Sequence, residues 1–143
     1  MLLMAAVGAL VALSGCLSAR SRFLQERQPQ NEHFDPAAVL PLMGGPFVEV
    51  ARAEGQNVGI MKLPMNSQLL PRYHRKTDVI LVGVAGRAII RVEDTRYVLK
   101  PGQVVVLPRM TIYAIMPHKT EQDFSALVVC SPPYDARDVE LTD

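Results

Sequence analysis

The sequence predicts an all-β domain closed into a jelly-roll barrel. Between Pro71 and Tyr113 short apolar runs rich in Val and Ile alternate with turns built from Gly, Pro, Asp and Thr. That alternation marks antiparallel strands rather than helices. The runs also recur at even, short intervals, and closing many short strands into a barrel or jelly roll removes the free edges that would otherwise aggregate. At 143 residues the chain has room for one such domain with an adequate core.

The strands follow in order. Phe47–Arg52 alternates apolar and polar residues, and Glu54-Gly55 turns it into Asn57–Leu63, which Pro64 ends. Ser67–His74 is a third strand. Asp78–Val84 is almost wholly apolar, which predicts a strand buried on both faces. Ala85-Gly86-Arg87 turns the chain into Ala88–Val92, and Glu93-Asp94-Thr95 leads to Arg96–Lys100. Pro101-Gly102 starts Gln103–Leu107, Pro108 interrupts, and Thr111–Met116 and Phe124–Cys130 complete eight or nine strands. Upstream, Asp35-Pro36-Ala37-Ala38-Val39-Leu40 reads as one capped helical turn with Pro at its first position.

Composition narrows the function classes. Hydrophobic residues make up 49% and charged residues 20%, which suits a globular domain rather than a disordered chain or a membrane bundle. A formal net charge of +1, with no basic stripe and only 6% aromatic residues, argues against nucleic acid as a partner. No repeat of solenoid length is visible.

Residues 1–15, MLLMAAVGALVALSG, form an apolar run of secretory-signal length, too short to span a bilayer. The run ends in Leu13-Ser14-Gly15-Cys16, which resembles the bacterial lipobox, although no Lys or Arg precedes it. The resemblance implies that Cys16 is lipidated, carrying a diacylglyceride and an N-acyl chain such as palmitate. Each buried acyl methylene would contribute about 0.8 kcal/mol to membrane attachment. Leu17, where an inner-membrane lipoprotein would carry Asp, implies the outer membrane of a bacterial envelope. The other reading of this run is a buried N-terminal helix. Residues 16–45 then form the lipidated Cys and a polar tether, 46–138 the barrel, and 139–143 a C-terminal tail. Cys130, in Ser125-Ala126-Leu127-Val128-Val129-Cys130, reads as a small buried hydrophobe.

From Phe47 to Asp138 the chain resembles the cupin superfamily in its small single-domain form. The family's first motif runs His-x-His, four residues, Glu, six residues, Gly. Here it reads Arg72-Tyr73-His74, then Arg75 to Asp78, Val79, and six residues to Gly86. The second runs Gly, five residues, Pro-x-Gly, two residues, His, three residues, Asn. Gly102 and Pro108 keep their places, while Met110 replaces the Gly, Tyr113 the His and Pro117 the Asn. The tail from Ser131 to Asp138 also resembles the end of many small cupins. The resemblance implies a double-stranded β-helix, and a homodimer formed through edge strands.

It also implies where a metal would bind. Those four positions carry Arg72, His74, Val79 and Tyr113. Arg is a fixed cation without a lone pair, Val offers no donor, and Tyr ligates well only after losing a proton near pH 10. The sequence therefore predicts no cofactor and no metal site, and metal-dependent isomerase or dioxygenase chemistry falls with it. Residues 72 and 74 share one face of a strand, and in the family's register Tyr113 faces them across the barrel mouth. Arg72, His74 and Tyr113 would then offer a fork, an imidazole and a phenol to a small anion such as a carboxylate or phosphate. In the competing reading Arg72 snorkels to solvent and His74 is a hydrogen-bonded leftover.

A soft copper site drawn from Met61, Met65, Met110 and Met116 with His74 or His118 is the weaker option, since Met is an ordinary gap filler. No Gly-rich phosphate loop and no nucleophile beside a base is present. The expected function is thus non-catalytic binding of an anionic small molecule, or a structural role, in a lipid-anchored envelope protein. The alternative is a cupin enzyme using an unorthodox divalent transition-metal site or metal-free acid–base chemistry.

Overall fold

The computed structural model describes residues 35–118 and 122–142. The expected leader, the expected lipidation site Cys16 and the expected tether as far as residue 34 lie outside the described residues. Asp35 accepts a hydrogen bond from the Ala37 N–H at 2.9 Å and caps the short helix α1, Pro36–Val39. A 3-10 turn, Leu40–Leu42, leads into the strands. Among the described residues no helix is long and apolar enough to cross a membrane.

Among the described residues ten strands follow: β1 Phe47–Arg52, β2 Asn57–Leu63, β3 Leu69–His74, β4 Asp78–Ala85, β5 Ala88–Val92, β6 Thr95–Leu99, β7 Val104–Leu107, β8 Tyr113–Pro117, β9 Phe124–Ser131 and β10 Val139–Leu141. They form two five-stranded antiparallel sheets, ordered β1-β2-β9-β4-β7 and β10-β3-β8-β5-β6. Successive side chains point to opposite faces, so each strand gives alternate residues to the space between the sheets. Val79, Leu81, Phe124 and Ala126 fill it from the first sheet, and Ile90 and Ile115 from the second. This is the jelly-roll, double-stranded β-helix architecture that the strand pattern predicts.

Turn chemistry accounts for the ends of the strands. Gly86 and Gly102 have φ of 65° and 79°, the left-handed region that an L side chain enters only at a cost. Met110 has φ of 63° at the position where the resembled motif carries Gly. This turn occupies residues 108–112, with the Thr111 N–H bonded to the Pro108 carbonyl at 3.3 Å, and β8 starts at Tyr113 rather than Thr111. Likewise β3 starts at Leu69 rather than Ser67, because the Ser67 N–H and hydroxyl both donate to the Pro64 carbonyl and close a turn.

Two features differ from the sequence reading. β4 is buried on one face only: Val79 and Leu81 are 2% exposed, whereas Ile80 is 36% exposed. Ile80 lies opposite Val106, and Val82 opposite Val104, on the outward side of the first sheet. A strand with an apolar outer face looks in sequence like one buried on both sides. The second difference is the C-terminus. Residues 139–141, expected in a tail, form β10 and pair with β3, placing Val139 opposite His74 and Leu141 opposite Arg72.

Candidate functional site

Arg72 and His74 leave β3 on the side facing the cavity between the sheets, two residues apart as the strand period requires. An irregularity between Leu69 and Arg72 sets their register against β8, so that Arg72 lies directly opposite Tyr113. Such bulges commonly re-aim side chains beside functional sites. Tyr113 is therefore the neighbour of Arg72 on the adjacent strand, not a residue facing it across the mouth. Sequence pattern fixes which side of a strand a residue takes, but not which strand lies next to it.

The His74 backbone is clamped from two sides. The Met110 N–H donates to the His74 carbonyl at 2.7 Å, and β10 runs alongside. The loop after His74 is tied by Asp138, 7% exposed, whose carboxylate accepts the Lys76 N–H at 2.9 Å and the Thr77 N–H at 3.1 Å. Burial pushes the Asp138 carboxyl up, but these hydrogen bonds outweigh it and hold the group below its ordinary value. The Arg75 N–H adds a bond to the Asp138 carbonyl at 3.0 Å.

The imidazole is 5% exposed, and its Nε2 lies 2.9 Å from the Tyr113 hydroxyl. The two rings are nearly parallel at 8°, while the Tyr134 ring meets the imidazole edge-on at 71° and 6.1 Å. Among the described residues Nδ1 has no hydrogen-bond partner, and a carboxylate oxygen of Asp138 lies 3.8 Å away. That carboxylate favours the tautomer with its proton on Nδ1, which leaves Nε2 to accept from the phenol. Burial lowers the basicity of His74, with Asp138 working against it and Arg72 with it. The imidazole is therefore neutral near pH 7. Burial pushes the Tyr113 phenol far up, so it too is neutral, as a hydrogen-bond donor.

Arg72 is half-buried, and its Nε donates to the Leu70 carbonyl at 3.0 Å. Its two terminal nitrogens make no protein hydrogen bond among the described residues. Arg72, His74 and Tyr113 line one cavity of about 210 Å³. Sequence reasoning missed Tyr134 and Cys130, which line it too. Tyr134 comes from an irregular Pro-rich segment with no periodicity to show where its side chain points. It is placed by buried Asn57, which accepts the Tyr134 N–H at 2.9 Å and donates to Glu49 at 2.6 Å. Cys130 is a buried free thiol whose pKa burial pushes up to about 11, so it is protonated.

The four positions that the resemblance assigns to a metal do not fit one. Val79 is buried without a donor, the Tyr113 phenol holds its proton, and the guanidinium beside them repels a cation. His74 alone offers an ordinary donor. Among the described residues no cluster of three or more His, Cys, Asp or Glu is placed to hold a metal ion. What the trio offers instead is a half-buried fixed positive charge beside a buried phenol and a buried imidazole. His118, by contrast, anchors a turn through its N–H to the Arg87 carbonyl at 2.8 Å and is not among the cavity-lining residues.

No family model matches this chain, and no curated protein does. Solved structures do. KdgF from Halomonas sp. is similar at 23% identity and a TM-score of 0.59, over 64% of this chain and 81% of that one. A protein from Klebsiella pneumoniae described by its double-stranded beta-helix domain aligns at 13% identity and a TM-score of 0.65, over 80% of this chain and 99% of the other. A cupin-2 domain protein from Shewanella frigidimarina aligns at 14% identity and a TM-score of 0.58, over 71% and 97% of the two chains. At these identities the likeness speaks to the fold.

Proposed function

Because the chain carries the cupin double-stranded β-helix fold without a divalent ion's donor set, we propose that its barrel is a non-catalytic receptor for a small organic anion. The observation that supports this most directly is the Arg72 fork, which among the described residues has no protein partner at its terminal nitrogens and lines the same cavity as the His74–Tyr113 pair. Charge-assisted hydrogen bonds in a desolvated cavity are strong, and a guanidinium fork matches a carboxylate. A calorimetric and thermal-shift screen of organic acids is the test. Saturable binding lost in Arg72→Ala supports the reading, and binding indifferent to that substitution sinks it. Elemental analysis of protein purified without chelator covers the enzyme alternative, because a stoichiometric transition metal would revive it.

The same proposal places the barrel at a bacterial membrane surface, held by lipid on Cys16 and spaced by the polar segment up to residue 45. The support is the lipobox-like Leu13-Ser14-Gly15-Cys16 after an apolar run. Incorporation of labelled palmitate that disappears in Cys16→Ser, together with outer-membrane fractionation, tests it. A homodimer is part of the proposal on the ground of fold likeness, and light scattering decides it.

A further inference from the structure

Resting on the anion-receptor reading, we infer that the ligand is a monocarboxylate with a compact apolar body, of the arylcarboxylate or branched aliphatic kind, rather than a sugar phosphate or a hydroxy acid. Three properties of the cavity lead there. The first is charge. Among the described residues Arg72 is the one fixed cation that lines the cavity, and no acidic side chain does. A single negative charge is matched by the guanidinium, whereas a second charge would be buried unpaired, which is costly.

The second is the wall. Beyond Arg72, the polar atoms are those of His74, Tyr113, Tyr134 and the Cys130 thiol, and His74 and Tyr113 already bond to one another. The remaining surface is aliphatic or aromatic, with Met61, Leu63, Leu81, Ile115 and Val128 among it. Among the described residues no Ser, Thr, Asn or Gln lines the space. Each ligand hydroxyl placed there without a partner would forfeit its hydration and weaken binding by about fivefold or more. An apolar body incurs no such loss and gains from leaving water.

The third is size. An apolar cavity of about 150 Å³ holds benzene. The 210 Å³ here accommodates a ring of that size plus a short arm carrying the carboxylate. The carboxylate meets the Arg72 fork, and the body packs between the sheets beside Tyr134.

The experiment is titration calorimetry of the full chain with phenylacetate, its neutral isostere phenylacetamide, a hexose phosphate and inorganic phosphate. Phenylacetate is expected to bind saturably, with the amide weaker by about tenfold or more, since the charge-assisted bonds are lost. Arg72→Gln should abolish that preference. Val128→Thr, which adds a hydroxyl to the wall at near-constant volume, should weaken phenylacetate several-fold. Melting curves identify any variant that fails to fold, and the amide comparison on the native protein stands without them. If a hexose phosphate or inorganic phosphate binds through Arg72 as tightly as phenylacetate, the apolar class is overturned and the anion receptor survives. If no anion binds, or binding ignores Arg72, both fall.

Discussion

Met110 offers a quantitative check on how the barrel's turns are built. Its φ of 63° lies in the left-handed region, which costs an L residue about 1–2 kcal/mol, and its side chain is 63% exposed, so little packing offsets that cost. Glycine at this position removes the backbone penalty but adds about 0.5–1 kcal/mol of unfolded-state entropy. Met110→Gly should therefore stabilise the domain by about 0.5–1 kcal/mol, a rise in Tm of about 2–5 °C for a domain this size. Gly102→Ala is the mirror experiment. Its φ is 79° and an added Cβ meets nothing within 4 Å, so it should cost a similar amount through the backbone alone. Gly86→Ala should cost more, because its Cβ would lie 2.5 Å from the Asp123 carbonyl oxygen as well. Urea melts followed by circular dichroism read all three. Destabilisation by Met110→Gly alongside a loss in Gly102→Ala would mean that the Met side chain packs against something its exposure does not show, and would refute the reasoning.

Asp138→Ala leaves the buried N–H of Thr77 and the part-buried N–H of Lys76 without their acceptor and should cost about 1–3 kcal/mol, measured by chemical denaturation; Asp138→Asn should cost less. Asn57→Ala removes the acceptor of the Tyr134 N–H, so a loss of about 2 kcal/mol should come with slackened Tyr134 ring packing, visible in aromatic circular dichroism. The folded-state pKa of His74 is depressed, so the unfolded chain takes up the proton first. Stability should be full above about pH 6.5 and fall as pH drops below it, and His74→Gln should flatten that part of the profile. A bound carboxylate favours the protonated imidazole, and burial holds the free imidazole's pKa below its ordinary value, so anion affinity should tighten as pH falls below about 6.5, as calorimetry across buffers would show.

Much of the fold was legible because local backbone demands leave marks in sequence. Gly86, Gly102 and Pro108 sit where the chain turns, two of them with positive φ, and the limits of β1, β2 and β5 match the apolar runs. The near-continuous apolar run of β4 misled, since outward Ile80 and Val82 carry the same hydrophobic mark as inward Val79 and Leu81. Within the site, Arg72 and His74 could be placed together because they share a strand. Tyr113 lies thirty-nine residues beyond His74, and its position beside Arg72 depends on strand order and a register shift, neither of which periodicity records. Tyr134 comes from an irregular segment and Asp138 from a short 3-10 turn, Ala136–Asp138, where no strand period shows which way a side chain points.

The short strand β10 gives the last residues of the chain leverage over the cavity. Val139 runs beside His74, Thr142 donates to the Pro71 carbonyl at 3.0 Å, and Glu140 bonds the Tyr73 hydroxyl. A purification tag or reporter fused directly after Asp143 would pull on the ribbon that steadies the imidazole. Ligand titrations on such fusions would then report a loosened receptor, and a cleavable tag with a long flexible spacer is the safer handle.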